Sequence, residues 1–476
     1  MSKMSLRKAS AIYSMAKYMI IIIQLFITAF LSRLLTPDDY GIVAVVTVFT
    51  TFFSTLGNLG LGTAVTQYRD LSQENIQDIF TFSEYFSCVL AVIFILLSYP
   101  ISLFYNNKEY ITIIILLSIS VFFNSLNMIP EAILRKQQSF FQLGVRMILN
   151  TFISGILAMI MAILGCRYYS LVFQSVIFAF IQFFWNYKST FLKVRLKYHY
   201  DSIKKVKNYS SNQFIYNIFN YFAQNLDNLL TAKIMGNEML AYYNKGYTLM
   251  RYPVNNITHA ITPVLHPILS EYQYDKKVIY TEFVKVIKLI SLVGVFITGF
   301  CFWAGKEIII CCFGNQWDGA ILPFKWLSIC IGVQLMNALF GAIYQSLGCT
   351  KQMLKSGMLH ISISLFAIIF GSYSKSIVIL AICVSISMYL KFLIESYFLI
   401  KKSFGFSLTK FFKIFIPDIV ILIGLFFIQI FIGDIYISNM WISLIIKMSI
   451  LLFAFFFITY NFKTSIIYFE DISISI

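Results

Sequence analysis

The chain has 476 residues, of which 59% are hydrophobic and 12% are charged, and its mean hydropathy is +0.78. Soluble domains carry roughly 25% charged residues, so this composition excludes a soluble protein and predicts a multi-pass membrane protein. The formal net charge of +16 would suit a nucleic-acid partner, but the basic residues lie in alternate loops, as the positive-inside rule requires. The charge therefore predicts membrane topology with both termini in the cytoplasm, and no nucleic-acid binding.

Apolar runs separated by short polar breaks predict an all-α fold of about fourteen transmembrane helices. A helix that crosses a hydrocarbon core of about 30 Å needs roughly 20 residues, and each run is about that long. The runs lie approximately at 11–35, 40–65, 80–104, 110–130, 142–165, 169–187, 209–235, 239–263, 284–305, 321–347, 355–373, 376–400, 414–433 and 441–460.

The chain shows signs of an internal repeat. A basic stretch at 187–211 follows the sixth run, and a shift of 200 residues aligns Gln24 with Gln224 and Asp38 with Glu238. Both halves are expected to begin inside, so they would be pseudo-symmetric parallel repeats with a substrate path between them. The predicted parts are two six-helix lobes and an appended helix pair with a cytoplasmic tail, at 1–200, 201–400 and 401–476.

Two polar stripes run along the predicted seventh and eighth helices. Their members recur every three or four residues, so each stripe lies on one helix face. A polar group that faces lipid is costly, so these faces should turn toward a hydrated cavity or a protein partner. The first helix adds a shorter polar face. The residues expected to bind substrate in the cavity are Lys17, Gln24, Gln213, Asn217, Asn220, Gln224, Asp227, Asn244, Thr248, Arg251, Asn255 and His259.

Arg251 lies near the middle of the predicted eighth helix, where a side chain cannot readily reach the membrane surface. Its guanidinium stays charged and suits bidentate phosphate binding; the alternative is a buried pair with Asp227 that braces the two helices. Lys391 and Glu395 are four residues apart and can pair on one helix face. Asp227 and Glu395 are the only acids expected clearly inside spans, and with Lys391 they are the candidates for coupling to a proton or sodium ion.

Motifs for cofactors and catalysis are not evident in the sequence. We find no Gly-rich phosphate loop or catalytic triad, and the eight cysteines show no metal-ligand spacing, so they are expected to be apolar packing residues. We therefore expect no cofactor, no metal site and no enzymatic activity. The enzyme alternative, a membrane polysaccharide polymerase, would need a larger outer loop than the break at 305–320.

Two multi-part sequence blocks carry a family resemblance. The first is Leu31-Ser-Arg-Leu-Leu-Thr-Pro-Asp-Asp-Tyr-Gly41 with 57–62 and 65–67, and the second comprises 226–230, 240–244, 249–253 and 261–270. Together they resemble bacterial oligosaccharide flippases of the O-antigen, capsular and colanic-acid type, within the multidrug/oligosaccharidyl-lipid/polysaccharide exporter superfamily. The chain departs from the family at Ala232-Lys233, where Gly-Arg is usual, and at Ala241, where Gly is usual. Lys233 keeps the charge of arginine without its bidentate fork.

The resemblance implies two lobes that alternate access between the two sides of the bacterial plasma membrane. The substrate would be an undecaprenyl-diphosphate-linked oligosaccharide repeat unit for surface polysaccharide, and the partners would be this lipid-linked oligosaccharide, membrane lipid and a polysaccharide polymerase. The alternative is a multidrug/cation antiporter of the same superfamily. That function favours a cavity dominated by acids, whereas here Arg251 and Lys17 accompany Asp227 and Glu395.

Overall fold

The computed structural model describes residues 6–58, 61–62, 65, 71–195, 197, 199–200, 203, 221, 225–433, 437 and 439–461. Within these residues the chain forms helices joined by short connections. It divides into two compact units, Met1–Glu238 (the N-unit) and Met239–Ile476 (the C-unit). The repeat and the part boundaries near residues 200 and 400 stay predictions.

The helices follow one another closely along the chain. The first six are α1 (Leu6–Leu34), α2 (Pro37–Asn58), α3 (Gln73–Tyr105), α4 (Glu109–Lys136), α5 (Phe140–Ile163) and α6 (Tyr169–Tyr187), and residues 225–235 are also helical. The next are α7 (Asn237–Ser270), α8 (Lys276–Trp303), α9 (Gly305–Phe313), a 3₁₀ turn (Asn315–Ala320), α10 (Ile321–Ser328) and α11 (Ile331–Ser346). The last are α12 (Thr350–Tyr373), α13 (Ile377–Ser396), a π-helical turn (Tyr397–Phe404), α14 (Leu408–Lys413), α15 (Ile416–Ile432) and α16 (Met440–Asn461).

Among the described residues, eleven helical segments are long and apolar enough to cross a membrane, and the bent pair α10–α11 would make a twelfth. The all-α membrane fold is thereby confirmed, whereas the count of fourteen is not. The predicted run at 209–235 lies largely outside the described residues. The predicted run at 239–263 falls on α7, which is long enough but is not among the eleven because polar residues occupy one of its faces.

The structure adds detail to two predicted segments of the C-unit. The break at 305–320 is ordered, because Gly305–Phe313 forms α9 and Asn315–Ala320 forms a 3₁₀ turn. The run at 321–347 is bent, because Asn315–Ser328 and Ile331–Ser346 meet at an angle of 54°. Hydropathy does not predict this bend, since α10 and α11 are both largely apolar.

The first block of the family resemblance builds the start of α2. Asp39 accepts hydrogen bonds from the backbone N–H of Thr36 (3.1 Å) and from its hydroxyl (2.8 Å), and the Asp39 N–H donates to the same hydroxyl (3.2 Å). This reciprocal arrangement is a capping box, which pairs helix N-terminal donors that would otherwise lack partners. The Asp39 carboxylate also forms an ion pair with Arg167 at 3.1 Å, so it holds α2 next to the start of α6.

Amide side chains join α4, α5 and α6 within the N-unit. The Asn150 amide donates to the Gln182 side chain (3.1 Å), and the Asn186 amide donates to that of Asn127 (2.9 Å). Arg146 in turn donates to the Asn186 side chain at 3.2 Å. In hydrocarbon such bonds hold helices together, which is the role expected of polar residues that do not face a cavity.

The appended pair α15–α16 packs on α8 in the C-unit. Val295 of α8, Leu425 of α15 and Leu451 of α16 belong to one buried apolar cluster. On another part of α8, a Cβ added to Gly294 would lie 2.6 Å from Cα of Gly332, so α8 and α11 approach backbone to backbone. Such close approach is typical of small residues at helix interfaces in membranes. The last two helices are thus an integral part of this unit.

Candidate functional site

The main candidate site is a polar face of α7, formed by Asn244, Thr248, Arg251 and Asn255. The helix has 34 residues and is therefore about 50 Å long at about 1.5 Å per residue, more than a bilayer core requires. Thr248, Arg251 and Asn255 are exposed and Asn244 is half-buried, whereas Met250 is fully buried on a different face. Asn244, Thr248, Arg251 and Asn255 of the second predicted stripe thus lie along one helix, and their role in a substrate cavity stays a prediction.

Contacts along this face leave the guanidinium of Arg251 available to a ligand. The Thr248 hydroxyl donates to the Asn244 side-chain oxygen at 3.2 Å. The guanidinium carbon of Arg251 lies 5.8 Å from the centre of the Tyr247 ring, a distance that suits a cation–π contact. This contact does not use the N–H donors of the guanidinium, and within the described part of the chain no ion pair with Arg251 occurs, so the bidentate fork is accessible there.

The other predicted cavity residues differ in their burial, and some lie outside the described residues. Lys17 and Gln24 are both exposed on α1, seven residues apart and therefore on one face. Asp227 is buried, and its carboxylate accepts the backbone N–H of Asn228 at 2.9 Å. Its predicted pairing with Arg251 stays a prediction. Outside the described residues are Gln213, Asn217, Asn220 and Gln224, together with the side chain of His259.

Two other charged positions have local partners. The ammonium of Lys233 donates to the backbone carbonyl of Phe104 and lies 4.5 Å from the centre of its ring. This cation therefore anchors the helical segment 225–235 to the end of α3. Lys391 and Glu395 pair on α13 at 4.0 Å, which is the limit of an ion pair and confirms that they share a helix face.

Two acids of the C-unit other than Glu395 are buried in the structure. Asp418 is buried within α15 and pairs with Lys288 of α8 at 2.5 Å. Glu307, at the start of α9, is also buried and pairs with Lys447 of α16 at 2.6 Å. The sequence signal was available, because a lysine inside an apolar run, such as Lys447, requires a partner of opposite charge.

The sequence pattern also did not identify Lys245, a buried lysine of α7. Lys245 is 8% exposed, and its ammonium lies 4.5 Å from the ring centre of Phe313 and 4.8 Å from that of Trp317. Tyr242, one turn earlier, contacts the Trp317 ring edge-on. An aromatic cage of this kind stabilises a desolvated ammonium through cation–π attraction. It joins α7 to α9 and the 3₁₀ turn.

Comparisons with known proteins identify the family. Residues 30–322 match the family described as polysaccharide biosynthesis protein, and since this is more than half of the chain, the chain belongs to that family. It is 22% identical over 413 residues to an uncharacterized membrane protein in the cps region of Klebsiella pneumoniae, covering 85% of this chain and 84% of that protein. It is 23% identical over 331 residues to the teichuronic acid biosynthesis protein TuaB of Bacillus subtilis, covering 68% of each.

A solved structure shows the same fold. The chain is similar to the lipid II flippase MurJ in its inward closed conformation, with a TM-score of 0.74 over 94% of this chain and 98% of that one. The sequence identity is 13%, so the likeness establishes the architecture only. These findings confirm the family resemblance deduced from the two sequence blocks. The protein is a membrane protein of polysaccharide biosynthesis with the fold of a flippase.

Proposed function

We propose that this member of the polysaccharide biosynthesis protein family flips undecaprenyl-diphosphate-linked oligosaccharide repeat units across the bacterial plasma membrane by alternating access. The observation that carries the proposal is the exposed polar face of α7 with Arg251 at its centre. An exposed cation on a helix of membrane-spanning length needs water or an anionic ligand. A lipid-linked diphosphate supplies that anion at membrane depth.

In this proposal, the diphosphate and the sugars of the substrate each have protein groups that can bind them. The Arg251 guanidinium binds the diphosphate through two parallel charge-assisted hydrogen bonds. Asn244, Thr248 and Asn255 offer amide and hydroxyl groups that both donate to and accept from sugar hydroxyls. Lys17, exposed on α1, adds a second cation, and the polyprenyl chain stays in lipid.

Coupling to an ion gradient is a further part of the proposal. Asp227 and Glu395 are acids of predicted membrane-spanning segments, and such groups commonly lie on proton or sodium paths. Glu395 is 12% exposed and shares its face with Lys391. The substitution Glu395→Gln removes the exchangeable charge and should abolish coupled transport while leaving substrate binding intact.

The experiment uses a strain whose own copy of the gene is deleted and replaced by variants expressed at normal level. Arg251→Ala should lose surface polysaccharide and accumulate lipid-linked repeat units in the membrane. Arg251→Lys should retain part of the activity, because lysine keeps the charge but not the fork. The matched control is Lys351→Ala, which removes an exposed cation elsewhere in the same unit and should be active.

Two results would contradict the proposal. Full surface polysaccharide with both Arg251 variants would remove this residue from the mechanism. A deletion strain with normal polysaccharide but increased drug susceptibility would instead favour a multidrug/cation antiporter. Accumulation of the lipid-linked intermediate separates a transport defect from a defect in sugar assembly, because assembly precedes flipping.

A further inference from the structure

We propose that Glu307 is a positioning residue that links the last helix, α16, to the polar face of α7 through α9 and the 3₁₀ turn (Gly305–Phe313 and Asn315–Ala320, the link segment). The inference rests on the proposed function only in assigning α7 to transport. Specifically, the ion pair between Glu307 and Lys447 fixes the position of α7 within the C-unit.

The first half of the connection is the buried pair itself. Glu307 accepts from the Lys447 ammonium at 2.6 Å and from the Ser443 hydroxyl at 3.0 Å. The Lys447 ammonium also donates to the backbone carbonyl of Trp303 at 3.4 Å, at the end of α8. Because both charged side chains are 5% exposed or less, this contact is screened little by solvent. It fixes the start of the link segment to α16.

The second half of the connection joins the link segment to α7. Lys245 lies over the rings of Phe313 and Trp317, and a Cβ added to Gly319 would lie 2.6 Å from the Tyr242 ring. The packing leaves little room for relative movement, so a displacement of the link segment must displace this part of α7.

The distance along α7 from these contacts to the polar face is short. Lys245 lies three residues before Thr248 and six before Arg251, which is less than two helical turns. A helix transmits displacement over such a length as a rigid body, and Gly246 packs closely on α10, where an added Cβ would lie 3.1 Å from the Phe324 backbone nitrogen. The contacts that position α7 therefore lie on the side of the helix opposite the polar face, where a ligand would bind.

The test measures the position of α7 directly, in the full-length protein in membranes and with its native cysteines replaced. Thr248→Cys places a thiol on the polar face, and its rate of reaction with a membrane-impermeant maleimide is measured. Glu307→Gln, Lys447→Met and Lys245→Met should each accelerate labelling by at least about fivefold, the lower range of coupling free energies between sites. The charge-swapped pair Glu307→Lys with Lys447→Glu should restore the parental rate.

A matched control separates positioning from general stability. Lys288→Met with Asp418→Asn removes the other buried ion pair, which ties α15 to α8 without contacting the link segment. This double variant should leave the labelling rate of Thr248→Cys unchanged. If a single Glu307 variant does not fold, Glu307→Gln with Lys447→Met, which leaves no unpaired charge, takes its place.

The outcomes are distinct from those that test the flippase function. Labelling within twofold of the parent in every folded Glu307 and Lys447 variant would overturn the inference, as would equal acceleration in the Lys288–Asp418 control. Labelling requires no substrate. Accelerated labelling in a protein that does not transport lipid-linked oligosaccharide would therefore uphold the positioning role while refuting the proposed function.

Discussion

The buried ion pair between Lys288 and Asp418 predicts a measurable loss of stability when one partner is removed. The two side chains are 8% and 2% exposed, and the ammonium also donates to the backbone carbonyl of Ile414 at 2.9 Å. Lys288→Met removes the cation and leaves a carboxylate buried without its counter-charge. Breaking one partner of such a pair costs about 3–5 kcal/mol, whereas removing both partners is far less costly. We therefore expect Lys288→Met to be severely destabilised and Lys288→Met with Asp418→Asn to regain much of the loss.

The assay is the temperature at which half of the purified protein in mild detergent leaves the monodisperse peak on size-exclusion chromatography. With about 2–4 °C of midpoint shift per kcal/mol for a unit of this size, Lys288→Met should lower the midpoint by at least about 6 °C. The control is Lys285→Met on the same helix, where the pair with Glu282 is 43% and 48% exposed. An exposed pair contributes about 0–1 kcal/mol, so this variant should hardly shift.

Two results would refute this reasoning. A midpoint for Lys288→Met equal to that of Lys285→Met would show that the buried pair contributes no more than a surface pair. A double variant as unstable as Lys288→Met alone would show that the loss arises from packing rather than from an uncompensated charge.

Two further predictions concern the start of α2, and both use the same unfolding assay. Asp39→Ala removes the carboxylate that accepts the Thr36 hydrogen bonds and should destabilise the protein by about 1 kcal/mol, whereas Asp38→Ala, at the exposed neighbouring position, should have little effect; equal effects would contradict the capping role. Gly41→Ala places a Cβ against the backbone of Asn237 and should cost about 1–3 kcal/mol through overpacking. Gly341→Ala, where an added Cβ meets nothing within 4 Å, is its control and should be neutral or stabilising, and a neutral Gly41→Ala would refute the close approach.

The sequence predicts an all-α membrane fold because hydropathy is a local property, whereas the topology expected from loop charge stays a prediction. The helix starts at Pro37 and Asn237 lie within three residues of the predicted starts at 40 and 239. The link segment was missed for a physical reason. Its helix α9 is too short to span a membrane, and only the fold shows that Glu307 of α9 pairs with Lys447 of α16.

The polar face of α7 was predictable because its members recur with helical spacing. The buried pairs were not recognised because their partners are far apart in the chain, with Lys288 lying 130 residues from Asp418 and Glu307 lying 140 residues from Lys447. Periodicity reports which residues share a face of one helix. It carries no information about which two helices meet, and the pairing of opposite charges depends on that contact.

The contrast between these cations bears on which of them can act on substrate. Lys288 and Lys447 are buried and each has a carboxylate within 2.6 Å, so their charges are neutralised by the protein itself. Arg251 is exposed and lies over the ring of Tyr247, and among the residues that the structure describes it has no carboxylate partner, so its charge is available there for an anion from outside the chain. A cation already paired in the folded protein would have to lose that partner to bind a diphosphate, at a cost of several kcal/mol. Arg251 has no such cost, and for that reason the exposed stripe, rather than the buried charges, is where a lipid-linked diphosphate should bind.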